Sequence, residues 1–185
     1  MTSEQLTPSP FVVETERLSL RRLSEHDADF ILGLLNEPSF LQFIGDRGVR
    51  TLEDARAYIR NGPMASYDKF GFGLLLVATK EDGVPVGMCG LLKREALEDV
   101  DVGFAFLPAF WRQGYALEAT SAVIAHGRTA FGLTRIVAIT QPDNRGSIRV
   151  LEKLGLSFER MIKMSEDRAE IQLFGRDWSV SEDAP

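Results

Sequence analysis

Apolar and polar positions change rhythm several times along the chain, and each change predicts an element. Phe11-Val12-Val13 and the alternating Leu18 and Leu20 predict a first strand. From Ser24 the period becomes helical, with Phe30, Ile31, Leu34 and Leu35 on one face, and Ser24 with Asp27 three residues on reads as a capping box. Thr51 and Asp54 repeat that device for a second helix over 52–60, which Asn61-Gly62-Pro63 is expected to stop by a left-handed turn and a proline.

The middle of the chain is different. "GFGLLLVAT", "VPVGMCGLL" and "VDVGFAFL" are strand-like runs separated by short polar segments, the pattern of an antiparallel meander. A helix over Tyr115–Phe131, a strand over 134–140, and a short helix closed by Gly155 follow. Segments 158–164 and 171–178 alternate like a closing hairpin. This order describes a mixed α/β sheet with helices on its faces.

The 185 residues, 44 % of them hydrophobic, suit one domain over 11–180, with short tails at 1–10 and 181–185. Twenty-seven acidic residues against 21 basic ones, with no basic run, argue against a nucleic-acid surface. A cationic or amine-bearing partner fits that balance better. Cys89 is the one cysteine, so no internal disulfide forms, and it reads as a small core residue rather than a reactive thiol. The start lacks a signal-peptide pattern and no run reaches spanning length, so a soluble cytoplasmic protein without membrane association is expected, as a monomer or homodimer. His26 and His126 lack metal-ligand spacing, and no metal is expected.

One feature in this pattern points to chemistry. A helix start carries unpaired N–H groups and about half a positive charge, which an acidic residue ordinarily meets. Across Arg112-Gln113-Gly114-Tyr115-Ala116-Leu117 no acid appears until Glu118. Either the amides face water, with Gly114 merely permitting a turn, or a phosphate or pyrophosphate is the missing partner.

Taken together, "DVGFAFLPAFWRQGYALEAT", "QPDNRGSIRVLEKLGL" and "VETERLSLRRLSEHDADF" resemble the GNAT acetyltransferase superfamily, and more narrowly its RimJ/RimL branch, which acetylates N-terminal amines of ribosomal proteins. The resemblance runs over nearly the whole chain. It implies the GNAT fold, α/β (α+β) with a mostly antiparallel mixed sheet and splayed central parallel strands, and acetyl-CoA as co-substrate. It implies that Phe104, Ala105 and Phe106 offer main chain to the pantetheine arm, and that Arg112, Gln113, Gly114, Tyr115, Ala116 and Leu117 hold the pyrophosphate. Trp111 stands where the superfamily motif most often has glutamine or arginine. Leu151 stands where many members have the tyrosine that protonates the leaving thiolate, and Leu156 replaces a phenylalanine.

Acetyl transfer needs a neutral amine, a polarised carbonyl and a stabilised thiolate. Ser147, three residues after Asn144, is the candidate for the leaving group; otherwise it bonds local main chain. Asn144 reads as a cofactor contact or as a helix N-cap. Asp101, sharing a strand face with Gly103 and Ala105, is either the general base or a solvated strand-end residue in Glu98-Asp99-Val100-Asp101. That acidic stretch would draw a cationic amine. Tyr58 and Tyr67 are expected to border the acceptor pocket, and Phe70, Phe72, Phe104, Phe106, Phe110 and Trp111 to pack the core and the cofactor slot. The acceptor is then a protein N-terminus or a small amine such as an antibiotic, polyamine or amino acid; the alternative class is a non-catalytic acyl-CoA-binding module.

Overall fold

In the computed structural model, which describes residues 11–178, the strands form one sheet in the order β1-β2-β3-β4-β5-β6-β8-β7. The strands are β1 Phe11–Glu14, β2 Leu18–Arg22, β3 Leu74–Thr79, β4 Pro85–Leu92, β5 Asp101–Phe106, β6 Arg135–Thr140, β7 Ser157–Ile162 and β8 Ile171–Asp177. The expected tails lie outside the described residues. β5 and β6 pair in parallel, and every other neighbouring pair is antiparallel. The expected first strand is a hairpin, β1 against β2, because Thr15 turns the chain by accepting from Leu18 N–H at 2.9 Å.

Helices cover both faces of the sheet, and the two core clusters show how. On one face Leu18, Leu20, Val77, Cys89 and Val102 pack against α5 (Tyr115–Phe131) and α6 (Arg145–Lys153) through Ala119, Val123 and Leu151. On the other, Leu76, Met88 and Ala105 meet α1 (Ala28–Leu35), α2 (Pro38–Phe43) and α3 (Leu52–Ile59) through Ile31, Leu34, Phe40 and Ile59. The alternation of β-strand side chains assigns each face. Leu18, Leu20, Ile31 and Ile59 are fully buried, so truncating any of them to alanine costs about 2–5 kcal/mol.

Both capping boxes form. Thr51 Oγ1 accepts from Asp54 N–H while Asp54 accepts from Thr51 N–H; Ser24 opens a short 3₁₀ turn that leads into α1. The expected stop at Asn61-Gly62-Pro63 does not occur. The chain passes Pro63 by widening into a π turn, Arg60–Met64, and continues as α4, Ala65–Phe70. A wider turn relieves the clash of a proline ring with the carbonyl one turn back and leaves no donor unmet, since proline has none. The actual stop is Gly71, left-handed at φ 80°.

The closing hairpin forms, with β8 between β6 and β7. Arg135 of β6 ties the three strands together, reaching Asp99 at 2.9 Å, Glu159 at 2.8 Å and Asp177 at 2.8 Å. Cys89 is buried, 3.5 Å from Thr120 Oγ1, and burial pushes its thiol up to about 12, as fits a core residue. His126 stacks edge-on against Phe131.

Candidate active site

β5 and β6 touch at one register position, Asp101 opposite Val137, and diverge beyond it. Leu107 N–H bonds Val86 C=O on β4. Because an antiparallel strand alternates its main-chain groups between its two sides, Phe104 and Phe106 must point theirs away from β4, into the gap. The Trp111 indole N–H closes off the Phe106 carbonyl at 2.8 Å, which pins the strand end. The Phe106 N–H and both groups of Phe104 are left as an open strand edge.

The gap leads to the start of α5. Arg112 (φ 61°) and Gly114 (φ 84°) are both left-handed, which turns successive N–H groups toward one side. For Arg112 this conformation costs about 1–2 kcal/mol. The first-turn acid does not neutralise the helix start: Glu118 accepts from Thr15 Oγ1 at 2.6 Å, from Arg17 N–H at 2.9 Å and from Arg17 Nε at 2.7 Å, and so faces the β1–β2 turn. Burial is the largest single effect and raises its pKa, but the bonds from Thr15 and Arg17 together outweigh it, and the net shift is downward. Arg17 also holds the loop, donating to Gln113 C=O at 3.0 Å and lying over the Tyr115 ring. Among the described residues no acceptor meets the N–H groups of Arg112 through Leu117. A pyrophosphate group fits this arrangement, with donors convergent, a left-handed glycine at the closest approach, and no competing carboxylate.

At the gap lies a cleft of about 590 Å³, lined from α2 and α3 and from α6. Asp101 and Ser147 both line it, from β5 and from α6. Asp101 is not a solvated strand-end residue: it is 1 % exposed. Arg94 Nε donates to Oδ2 at 2.5 Å, and Oδ1 has no hydrogen-bond partner. Burial raises the Asp101 pKa, while the Arg94 charge and hydrogen bond, and the Ile139 main chain, pull it the other way; the net shift is upward. Asn144 caps α6, its Oδ1 accepting from Ser147 N–H at 3.1 Å, and its amide still lines the cleft. Among the described residues the Ser147 hydroxyl has no intramolecular partner, so it does not bond local main chain. Leu151, one turn further along α6, is a buried wall of the cleft.

Tyr58 borders this cleft as expected. Burial raises its pKa, opposed by the charges of Arg47 and Arg94. Tyr67 does not border it. Its hydroxyl accepts from Leu23 N–H at 3.0 Å and bonds Leu74 C=O, which holds α4 on the sheet. The aromatic expectation holds for Phe72, Phe104, Phe106 and Phe110, which pack in or against the core, whereas Trp111 is half exposed. Glu98 and Asp99 do not line the cleft, the latter being turned to Arg135. What the sequence pattern missed is a set of arginines: Arg47, Arg94 and Arg168 line the cleft from three separate loops. Nothing in their local sequence marks them as neighbours.

Splayed strands beside an open helix start fit an acyl-CoA site, and comparison with known proteins identifies the class. A family model described as an acetyltransferase (GNAT) domain matches residues 17–157, and the chain belongs to that family. It is accordingly an acetyl-CoA-dependent N-acetyltransferase. The uncharacterized N-acetyltransferase YoaA of Bacillus subtilis is 29 % identical over 154 residues, covering 82 % of this chain and 86 % of its own. Two solved structures share the fold at a TM-score of 0.77. One is RimL, a ribosomal L7/L12 alpha-N-protein acetyltransferase in complex with coenzyme A, 18 % identical over 89 % of this chain and 96 % of its own. The other is MccE, a microcin C7 self-immunity acetyltransferase in complex with acetyl-CoA and AMP, 17 % identical over 93 % and 98 %. Among the described residues no helix is long and apolar enough to cross a membrane, and no metal-binding group occurs.

Proposed function

We propose that the protein transfers the acetyl group of acetyl-CoA to a protein N-terminal amine in the manner of the RimJ/RimL branch, by direct attack in a ternary complex. One observation carries the chemistry: the unpaired Asp101 Oδ1 and the unengaged Ser147 hydroxyl flank the open edge of β5. The main-chain N–H groups of Arg112–Leu117 hold the pyrophosphate, and the Phe104 and Phe106 edge takes the pantetheine arm as it would a further strand. The Phe106 N–H polarises the thioester carbonyl. Asp101 takes the amine proton, directly or through water, as the nitrogen lone pair forms the C–N bond. The C–S bond then breaks, and Ser147 passes its hydroxyl proton to the departing thiolate and regains one from solvent. The products are the acetylated amine and free CoA.

The likeness to RimL supports a polypeptide acceptor. A small amine is the second reading, favoured by the likeness to MccE and by the modest cleft. Free-CoA release measured over a panel of N-terminal peptides and small amines decides between them: peptides are expected to turn over fastest. Tight CoA binding with no release from any acceptor would instead make the chain an acyl-CoA-binding module.

A further inference from the structure

The acceptor cleft has a charge opposite to that of the chain as a whole. The protein carries a net −6, yet the cleft is lined by three arginines and one carboxylate. Arg47 comes from the loop between α2 and α3, Arg94 from the segment after β4, and Arg168 from the β7–β8 loop. Arg94 spends Nε on Asp101 and leaves both Nη groups unpaired. Among the described residues the guanidinium groups of Arg47 and Arg168 form no hydrogen bond or ion pair, although their charges act on Tyr58 and Asp167. Nearby acids offset them only in part: Asp46 is taken by Arg50 at 2.5 Å and by the Gly48 N–H, and Asp167, which bonds Ser165, feels the Arg168 charge without forming an ion pair with it. Glu166 and Glu170 stay outside the cleft lining, as do Glu95 and Glu98. The same cleft is lined by Asp101, whose buried Oδ1 is unpaired.

We propose that the acceptor carries an oxyanion, a carboxylate or a phosphate, close to the amine that is acetylated, and that Arg47 and Arg168, with the free edge of Arg94, select it. An amine needs a hydrogen-bond acceptor, which Asp101 supplies. A bare cation such as a polyamine would meet three guanidinium groups on its way in, and like charges repel. An oxyanion forms charge-assisted hydrogen bonds with the planar guanidinium fork. The exposed positions of Arg47 and Arg168 place this selection at the mouth, so it acts on encounter as well as on binding. The inference rests on the acetyl-transfer reading above and narrows its acceptor.

The test compares paired acceptors at saturating acetyl-CoA: O-phosphoethanolamine against ethanolamine, and peptides beginning Ala-Glu-Glu against Ala-Gln-Gln and Ala-Lys-Lys. The anionic member of each pair is expected to have a kcat/KM higher by about tenfold or more, and the advantage should shrink as salt rises, because exposed charges are screened beyond about 10 Å at 0.1 M. The phosphoethanolamine pair and the peptide pair separate a small oxyanion from an acidic polypeptide as its source. The double variant Arg47→Gln/Arg168→Gln should erase the preference, and Arg47→Glu/Arg168→Glu should reverse it toward Ala-Lys-Lys, while CoA affinity and the melting temperature stay at wild-type values. Equal kcat/KM within every pair, or a preference that survives both double variants, would overturn this inference and leave acetyl transfer standing. No CoA release from any acceptor would overturn the acetyl-transfer reading, and this one with it.

Discussion

The two ends of the gap between β5 and β6 are built from different materials. At the α5 end the groups on offer are main chain: N–H groups turned outward by Arg112 and Gly114, and an open strand edge at Phe104 and Phe106. At the cleft end they are side chains gathered from distant segments, Arg47, Arg94, Asp101, Ser147 and Arg168. A main-chain site tolerates exchange of most side chains so long as the backbone conformation holds. A side-chain site changes with each substitution. The first suits a co-substrate that does not vary, and the second suits an acceptor that does.

This contrast makes the two ends separable by mutation. The largest expected effect belongs to the cleft. Asp101→Asn keeps an oxygen for Arg94 Nε, so the fold should survive, but the base is gone, and kcat/KM for the amine should fall by about 10²–10⁴-fold with CoA affinity unchanged. The pH profile identifies the cause. A base must be ionised, and Asp101 has its pKa raised by burial, so wild-type activity should fall as the pH drops through a limb lying above the ordinary carboxylate range. In the variant that limb should vanish, leaving one that follows the pKa of the chosen acceptor. A limb that persists unchanged with acceptors of different amine pKa would remove Asp101 from the chemistry.

Ser147→Ala should be milder. Its hydroxyl touches nothing else in the described fold, so stability and CoA affinity should stay the same. The loss should be about tenfold in kcat, the size of one hydrogen bond of about 1.4 kcal/mol felt in the transition state. Single-turnover rates in the presence of a fixed acceptor measure it. An unchanged rate would leave the thiolate to solvent and to positioning alone.

The same contrast explains what could be read from the sequence. The α5 end was legible because its signal is local: a glycine, a run of residues without an acid, and a helix pattern directly after. Glu118 illustrates the limit, since nothing nearby in sequence reveals that Thr15 and Arg17, about a hundred positions earlier, turn it away from the helix start. Asp101 and Ser147 could be nominated by residue type and strand or helix phase, but the burial that excludes a solvated Asp101 depends on Arg94 and on the packing around it. The arginines of the cleft were invisible for a stronger reason. They meet only through loops whose paths follow from the whole topology, including the insertion of β8 between β6 and β7. At Pro63 the local rule was read correctly and lost to tertiary packing, because burying Ile59 and Tyr67 on either side of a widened turn outweighs the helix-breaking tendency of one proline.

The central claim is that the uncapped start of α5 binds the negative charge of the cofactor, and a matched pair of variants at Gly114 tests it most directly. The residue is left-handed at φ 84°, and an added Cβ would lie 3.3 Å from Arg17 Nη2. Asparagine and aspartate, which enter that conformation more readily than other side chains, impose the same strain and the same bulk, and differ by one charge. Calorimetric titration of Gly114→Asn and Gly114→Asp with CoA therefore isolates electrostatics. CoA should bind the aspartate variant about tenfold or more weakly than the asparagine variant, with the gap narrowing as salt is added. Equal affinities for the two would contradict the claim.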